Sequence, residues 1–262
     1  MQTLFDSHCH LTSGELYPQV DNVITRAREA GVAEIMTVAQ DLDDAERAIR
    51  LSDEVPSVYV AAGIHPHESA KTRGHWDEAL SSLAARADVF AVGETGLDYH
   101  YDFSDRQTQQ CVFRRQLEIA VSVDKPVVIH SREAYEDTMT ILADHPSLRG
   151  VVFHCFSGTE REAAEILERG YYVSLTGVVT FKRSHALRAL ARTILSDRLM
   201  IETDAPYLSP EPVRNVRPNE PALLVHTASC IAKERGMDMG ELASVTSANT
   251  RRFFRIASES GE

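Results

Sequence analysis

Short apolar runs alternate along the chain with longer stretches whose apolar residues recur at helical spacing. The runs cover residues 3–8, 34–38, 58–64, 89–93, 126–129, 150–153, 172–175 and 199–201, and each has the length of a buried strand. Between them, Val20, Val23, Ile24 and Ala27 fall on one helical face, with Gly31 placed to follow as a C-cap. Phe113, Leu117, Ala120 and Val121 repeat the pattern ahead of Pro126, and Ser184 stands where it can cap a helix carrying Leu187, Leu190 and Ala191. Strands alternating with amphipathic helices predict an α/β protein with a parallel sheet covered by helices. About eight such units in a chain of this length is the size of a single (β/α)8 TIM-type barrel. The barrel is expected over residues 1–256, with residues 257–262 as a frayed C-terminal tail. A doubly wound open sheet competes, but no Gly-x-Gly-x-x-Gly follows the first run.

Composition narrows the class. Of 262 residues 43% are hydrophobic, ample for a core, and no apolar run approaches the length of a membrane span. The start of the chain has no charged-then-apolar leader, so the expected location is the cytoplasm. Cys9, Cys111, Cys155 and Cys230 are scattered without a CxxC, which indicates neither a disulfide framework nor a thiolate zinc knuckle. A net charge of -12 opposes wrapping of a long nucleic-acid duplex. It leaves room for a small site whose positive charge comes from metal ions. No membrane contact and no obligate protein partner are inferred.

Candidate chemistry lies where the runs end, because a parallel barrel collects functional groups at the C-terminal ends of its strands. The first run leads into His8-Cys9-His10, and strand alternation turns the two imidazoles one way and the thiol the other. Later runs lead into His65-Pro66-His67, Glu94, His130, His154 and Glu202-Thr203-Asp204. Taken singly, each His reads as a hydrogen-bonded loop residue, Glu94 as a turn cap and Asp204 as a helix cap. Taken together on one rim, they form a ring of imidazoles and carboxylates that is costly to assemble without a cation. Six donors exceed what a single zinc site uses. They suit two divalent cations (Mg, Mn or Zn) about 3.5–4 Å apart with a bridging carboxylate. Glu94, central in strand order, is the expected bridge. His8, His10 and Asp204 would complete one position, and His130 and His154 the other. Two such ions polarise an electrophile and acidify a shared water, whose proton Asp204 can accept.

Around this centre, His65 and Arg132 are candidate phosphate contacts, and Phe156 and Tyr207 can stack on an unpaired base. Glu202 is placed to orient a ligand His. Cys9 and Cys155 are read as core packing. His67, His75, His100, His145, His185 and His226 are assigned to structural or solvent-exposed roles.

Seven segments carry a family resemblance. They are Phe5-Asp6-Ser7-His8-Cys9-His10-Leu11, Ala62-Gly63-Ile64-His65-Pro66-His67, Val92-Gly93-Glu94-Thr95-Gly96-Leu97-Asp98-Tyr99, Pro126-Val127-Val128-Ile129-His130-Ser131-Arg132, Phe153-His154-Cys155-Phe156-Ser157-Gly158, Ile201-Glu202-Thr203-Asp204-Ala205-Pro206-Tyr207-Leu208 and Asn219-Glu220-Pro221. In this order they resemble TatD-type metal-dependent deoxyribonucleases of the amidohydrolase superfamily. The resemblance implies a (β/α)8 barrel, divalent cations, phosphodiester hydrolysis and the ligand set His8, His10, Glu94, His130, His154 and Asp204. DNA is the implied substrate. A rim cup and an acidic surface favour a small footprint at single-stranded or frayed ends, and the resemblance favours a 3′ start. The chain departs from many members in having Pro218 between Arg217 and Asn219. Two alternatives stand beside this reading: a two-metal hydrolase of small esters, amides or lactones, and a metallated barrel that binds a nucleotide without turnover.

Overall fold

The computed structural model describes residues 3–101 and 103–257, so the expected tail lies outside the described residues apart from Ala257. Eight strands run β1 (Leu4–Cys9), β2 (Val32–Val38), β3 (Val58–Ala62), β4 (Val89–Asp98), β5 (Val127–Arg132), β6 (Val151–Phe153), β7 (Tyr172–Leu175) and β8 (Leu199–Ile201). They pair in chain order, every ladder parallel. Around them lie α1 (Val20–Glu29), α2 (Leu42–Glu54), α3 (Trp76–Ala84), α4 (Arg106–Ser122), α5 (Tyr135–Ala143), α6 (Glu160–Glu168), α7 (His185–Thr193), α8 (Leu224–Arg235) and α9 (Met239–Phe254). This is the single-domain (β/α)8 barrel that the alternation predicts. The last and first strands are joined at their C-terminal ends. Ser7 Oγ donates to Ile201 O at 3.0 Å, Asp204 N–H to His8 O at 3.0 Å, and His10 N–H to Ala205 O at 2.7 Å. The seam of the barrel therefore passes through three of the predicted ligands.

Two apolar layers follow from strand alternation. One face of the strands packs on the helices. The other fills the lumen with Phe5, Met36, Ala61, Ala91, Val128, Val152 and Met200, and Phe253, Phe254 and Ile256 from the end of α9 join this inner cluster. Two residues beyond Val128, Val152 and Met200, on the same face, come His130, His154 and Glu202. The period that packs the lumen thus delivers polar groups to its rim. In β1 the pairing register shifts between Asp6 and Cys9. That irregularity lets Phe5 belong to the inner cluster while Cys9 packs with the outer one.

Two strands outrun the apolar runs. β4 continues to Asp98 and β5 to Arg132, pairing Thr95 with Ile129 through Asp98 with Arg132. Gly96 makes this possible. Its φ is +137°, and a Cβ there would lie 2.0 Å from the backbone oxygen of His130. Any side chain at residue 96 would wedge the two strands apart. Asp204 does not cap a helix: it has a φ of +54° and its carbonyl accepts from Tyr207 N–H in a turn. No helix among the described residues is long and apolar enough to cross a membrane.

Candidate metal centre

The structure brings His8, His10, Glu94, His130, His154 and Asp204 together at the C-terminal mouth of the barrel, all but His130 buried. His8 Nε2 and His10 Nε2 are 3.4 Å apart. Asp204 Oδ1 lies 3.9 and 3.5 Å from them, and Glu94 Oε2 lies 3.4 and 3.6 Å from them. Donors about 2.0–2.1 Å from a tetrahedral ion are separated by roughly 3.3 Å. His8 Nε2, His10 Nε2 and Asp204 Oδ1 therefore lie together at ligand spacing, and Glu94 Oε2 stands at the same spacing from the two imidazoles. The other Glu94 oxygen, Oε1, faces His154 Nε2 at 2.6 Å, His130 Nδ1 at 2.8 Å and His65 Nε2 at 3.5 Å. Glu94 presents one oxygen to each group of imidazoles.

Hydrogen bonds set which ring nitrogen points inward. His10 Nδ1 lies 2.8 Å from Val38 O, to which it can only donate, and this leaves the Nε2 lone pair free. Asp98 Oδ2 sits 2.9 Å from His130 Nε2, and a proton shared there leaves Nδ1 facing Glu94. Glu202 Oε1 lies 3.3 Å from His154 Nδ1 and accepts Cys155 N–H at 2.6 Å, which leaves His154 Nε2 toward Glu94. His65 behaves differently. Its Nδ1 accepts from His67 N–H at 3.1 Å, so the neutral ring carries its proton on Nε2. Although His65, Glu94 and His130 are close enough together to hold an ion, His65 is thereby a donor and not a ligand.

Electrostatics match a site built for positive charge. Burial works to raise the Glu94 carboxyl, but the surrounding imidazoles, His154 and His65 foremost, bring it well below the usual range. Burial likewise works to lower His10, yet Asp204 and Glu94 push it up to about 9. Against the same burial, Glu94 and Glu202 hold His154 well above its ordinary value, and Asp98 and Glu94 raise His130. Burial and the neighbouring His154 lower His8, and burial pushes His65 down to about 4. Asp204 is held low against burial, chiefly by His10. With no cation the carboxylates recruit protons onto the imidazoles, and a divalent ion with neutral His ligands satisfies the same charges. The donors are nitrogen and oxygen throughout, which fits Mg, Mn or Zn.

Three supporting residues escape a sequence reading. Asp6, fully buried and pushed up to about 8 by that burial, accepts from Thr203 N–H at 2.9 Å and Thr203 Oγ at 2.5 Å, tying β1 to the segment that carries Asp204. Asp98 accepts from both His130 and His67 on one oxygen and from the His100 and Tyr101 amides on the other. No local signal marked it, because residues 94–98 become strand only by pairing with β5. His67, assigned a structural or exposed role, lies in the mouth against Asp98 at 3.0 Å.

The family model described as TatD related DNase matches residues 5–255. The chain belongs to the TatD family. It is 40% identical over 262 residues to the 3'-5' ssDNA/RNA exonuclease TatD of Citrobacter rodentium, covering 98% of this chain and 100% of that one. It is 38% identical over 254 residues to the uncharacterized metal-dependent hydrolase YabD of Bacillus subtilis, covering 97% and 99%. The crystal structure of YjjV, a TatD homologue from Escherichia coli, superposes with a TM-score of 0.92 at 28% identity, covering 97% and 98%. The protein is a metal-dependent hydrolase of this family.

The remaining predicted residues of this TatD-family hydrolase divide. His65, Arg132 and Tyr207 line a cleft of about 680 Å³ that contains the metal-site side chains. Arg132 is exposed, and Tyr207 is 50% exposed and set edge-on to His10. Phe156 is buried in the helix-facing core and touches only the hollow next to α5, outside the cleft that holds the metal-site side chains, correcting the stacking role expected for it. Cys155 is also corrected. Alternation carries through His154 and stops at Cys155, which turns with a φ of +46° to line the cleft. Asn219 is buried and donates to Thr203 O and Tyr207 O, so it braces the loop beyond β8. Arg217 bonds the carbonyls of Arg214 and Val216 on the outside.

Proposed function

We propose that this chain is a 3′–5′ exonuclease acting on single-stranded or frayed DNA ends, with two divalent cations (Mg, Mn or Zn) held by His8, His10, Glu94, His130, His154 and Asp204. The observation that supports it most directly is the division of Glu94, one oxygen toward His8 and His10 and the other toward His130 and His154. Bound there, two ions would supply polarisation of a phosphoryl oxygen and acidification of a water. The protein's own groups do the rest. Asp204, kept ionised at neutral pH, accepts the proton of the attacking water. His65 Nε2–H and the Arg132 guanidinium donate to non-bridging oxygens. The cleft volume is in the range of small-ligand sites. It suits a few unpaired nucleotides, whereas the middle of a duplex would first need unstacking at about a few kcal/mol. The relative named as a 3'-5' ssDNA/RNA exonuclease supports the direction.

The test offers a linear single strand, its circularised form, a blunt duplex and a panel of small esters under one set of metal conditions. The linear strand should shorten fastest from its 3′ end and the circle should resist. Equal cleavage of circle and linear strand overturns the exonuclease reading, and turnover confined to esters overturns the nuclease reading.

A further inference from the structure

The loop after β4 holds two aromatic rings in an unusual setting. Tyr101 is 41% and Phe103 65% exposed, and the rings stack with centroids 5.6 Å apart at 20°. The His67 ring meets both edge-on, at 5.4 and 4.8 Å, and the Arg132 guanidinium lies 4.7 Å over Tyr101. All four side chains line the cleft that contains Glu94 and His130. The described residues Tyr101 and Ser104 are each tied down by hydrogen bonds. Asp98 Oδ1 accepts from Tyr101 N–H, buried Gln109 donates to Asp98 O and Ser104 O, and Ser104 Oγ donates to His67 O. An exposed aromatic shelf flanked by such contacts, beside a cation and at the metal site, suits a flat ring.

Charge decides which part of a strand lies there. Beside the shelf, the hollow next to α5 is lined by Glu133, Glu136, Asp137 and Glu162 against Arg106 and Arg132, and the excess of carboxylates disfavours successive phosphates there. Across the barrel, the loops after β7 and β8 expose Lys182, Arg183, Arg214 and Arg217. Among the described residues none of these four has a carboxylate within ion-pairing distance. Arg214 instead lies over Phe181 and Arg217 on backbone carbonyls. The body of a strand is therefore drawn toward the β7–β8 side. Only a nucleotide with no phosphate beyond the scissile one suits the β4 side.

We propose that Tyr101, Phe103 and Arg132 form a stacking subsite for the 3′-terminal base of a single-stranded substrate. This rests on the nucleolytic reading above and adds to it the place of the terminal base. The subsite accepts any of the four bases, because stacking uses the π-face common to all.

The test measures binding without turnover. In an Asp204→Asn background with Mg²⁺ present, fluorescence anisotropy follows a 5′-labelled thymidine octamer, the same octamer with a 3′-terminal abasic residue, and one abasic at the penultimate position. Phe103→Ala should weaken the intact octamer about 5- to 150-fold, the span of one base–aromatic stack. Phe103→Trp should restore it, and the Ala variant should bind the terminally abasic strand as the parent does. Phe103 is exposed, so an unchanged melting temperature in the Ala variant separates lost stacking from lost fold. An equal Phe103→Ala penalty on all three strands, or none, overturns the subsite. A penalty abolished only by the penultimate lesion overturns the terminal assignment. Failure of the parent to bind any strand overturns the nucleic-acid reading and the subsite with it.

Discussion

Asp98→Asn is a small change with a traceable consequence. Asp98 Oδ1 accepts from the amides of His100 and Tyr101 at 3.0 and 2.9 Å, while Oδ2 faces His130 Nε2 at 2.9 Å and His67 Nε2 at 3.0 Å. An Asn must keep its oxygen on the two amides, since they can only donate. Its NH₂ group then points at the two imidazoles. His130 can meet that donor only by shifting its proton from Nε2 to Nδ1, and Nδ1 is the atom 2.8 Å from Glu94. The lone pair aimed at the candidate metal position beyond Glu94 Oε1 is lost, while His8, His10 and Asp204 keep theirs. Loss of a group that orients a ligand His costs about 10- to 100-fold in metal affinity, equivalent to about 1.4–2.8 kcal/mol. Titration of chelator-treated protein with Mn²⁺ or Zn²⁺ in a calorimeter should therefore show one equivalent weakened by that factor and one unchanged. Two equivalents at parental affinity would refute the tautomer argument. Equal loss of both would show that Asp98 supports the fold of the mouth and not one ligand.

Glu94→Ala removes the oxygen from both groups at once and should abolish most bound metal in elemental analysis, so full metal content would exclude a bridge. Asp204→Asn keeps an oxygen donor but cannot take a proton, so kcat should fall by roughly 10²–10⁴ with metal partly retained, and an unchanged kcat would remove its role as base. Ion uptake must displace protons from His10, His130 and His154, all raised in the metal-free protein, so metal affinity should increase with pH up to about 9. For the same reason the metal-free protein should lose stability as pH rises from 6.5 through about 9. A folded-state pKa above the unfolded one favours folding below the unfolded value, and the benefit vanishes above the folded value. Melting curves with and without EDTA across that window check the sign, and a metal-free protein that gains stability there contradicts it.

Some of this protein was readable from local pattern alone. Strand length and the period of two are local properties, so all eight strands, the barrel, and the inward direction of His130, His154 and Asp204 followed from residues on the same segment. The His8 and His10 pair was legible for the same reason, with Cys9 turned to the helix layer. What failed was whatever depended on a neighbour distant in sequence. β4 runs on to Asp98 because Gly96 admits the backbone of β5, and nothing in Glu94-Thr95-Gly96-Leu97-Asp98 by itself signals a strand. The role of Asp98 was set by His130, a partner 32 residues away that only the closed barrel brings within hydrogen-bond reach. The rim position expected for Phe156 failed for a similar reason. Burial of an aromatic ring depends on what packs over it, and only the assembled layers determine that. The sequence by itself determined which groups reach the mouth of the barrel. Tertiary contacts determined which atom each one presents there, because a tautomer and a ring's exposure belong to the contact and not to the residue.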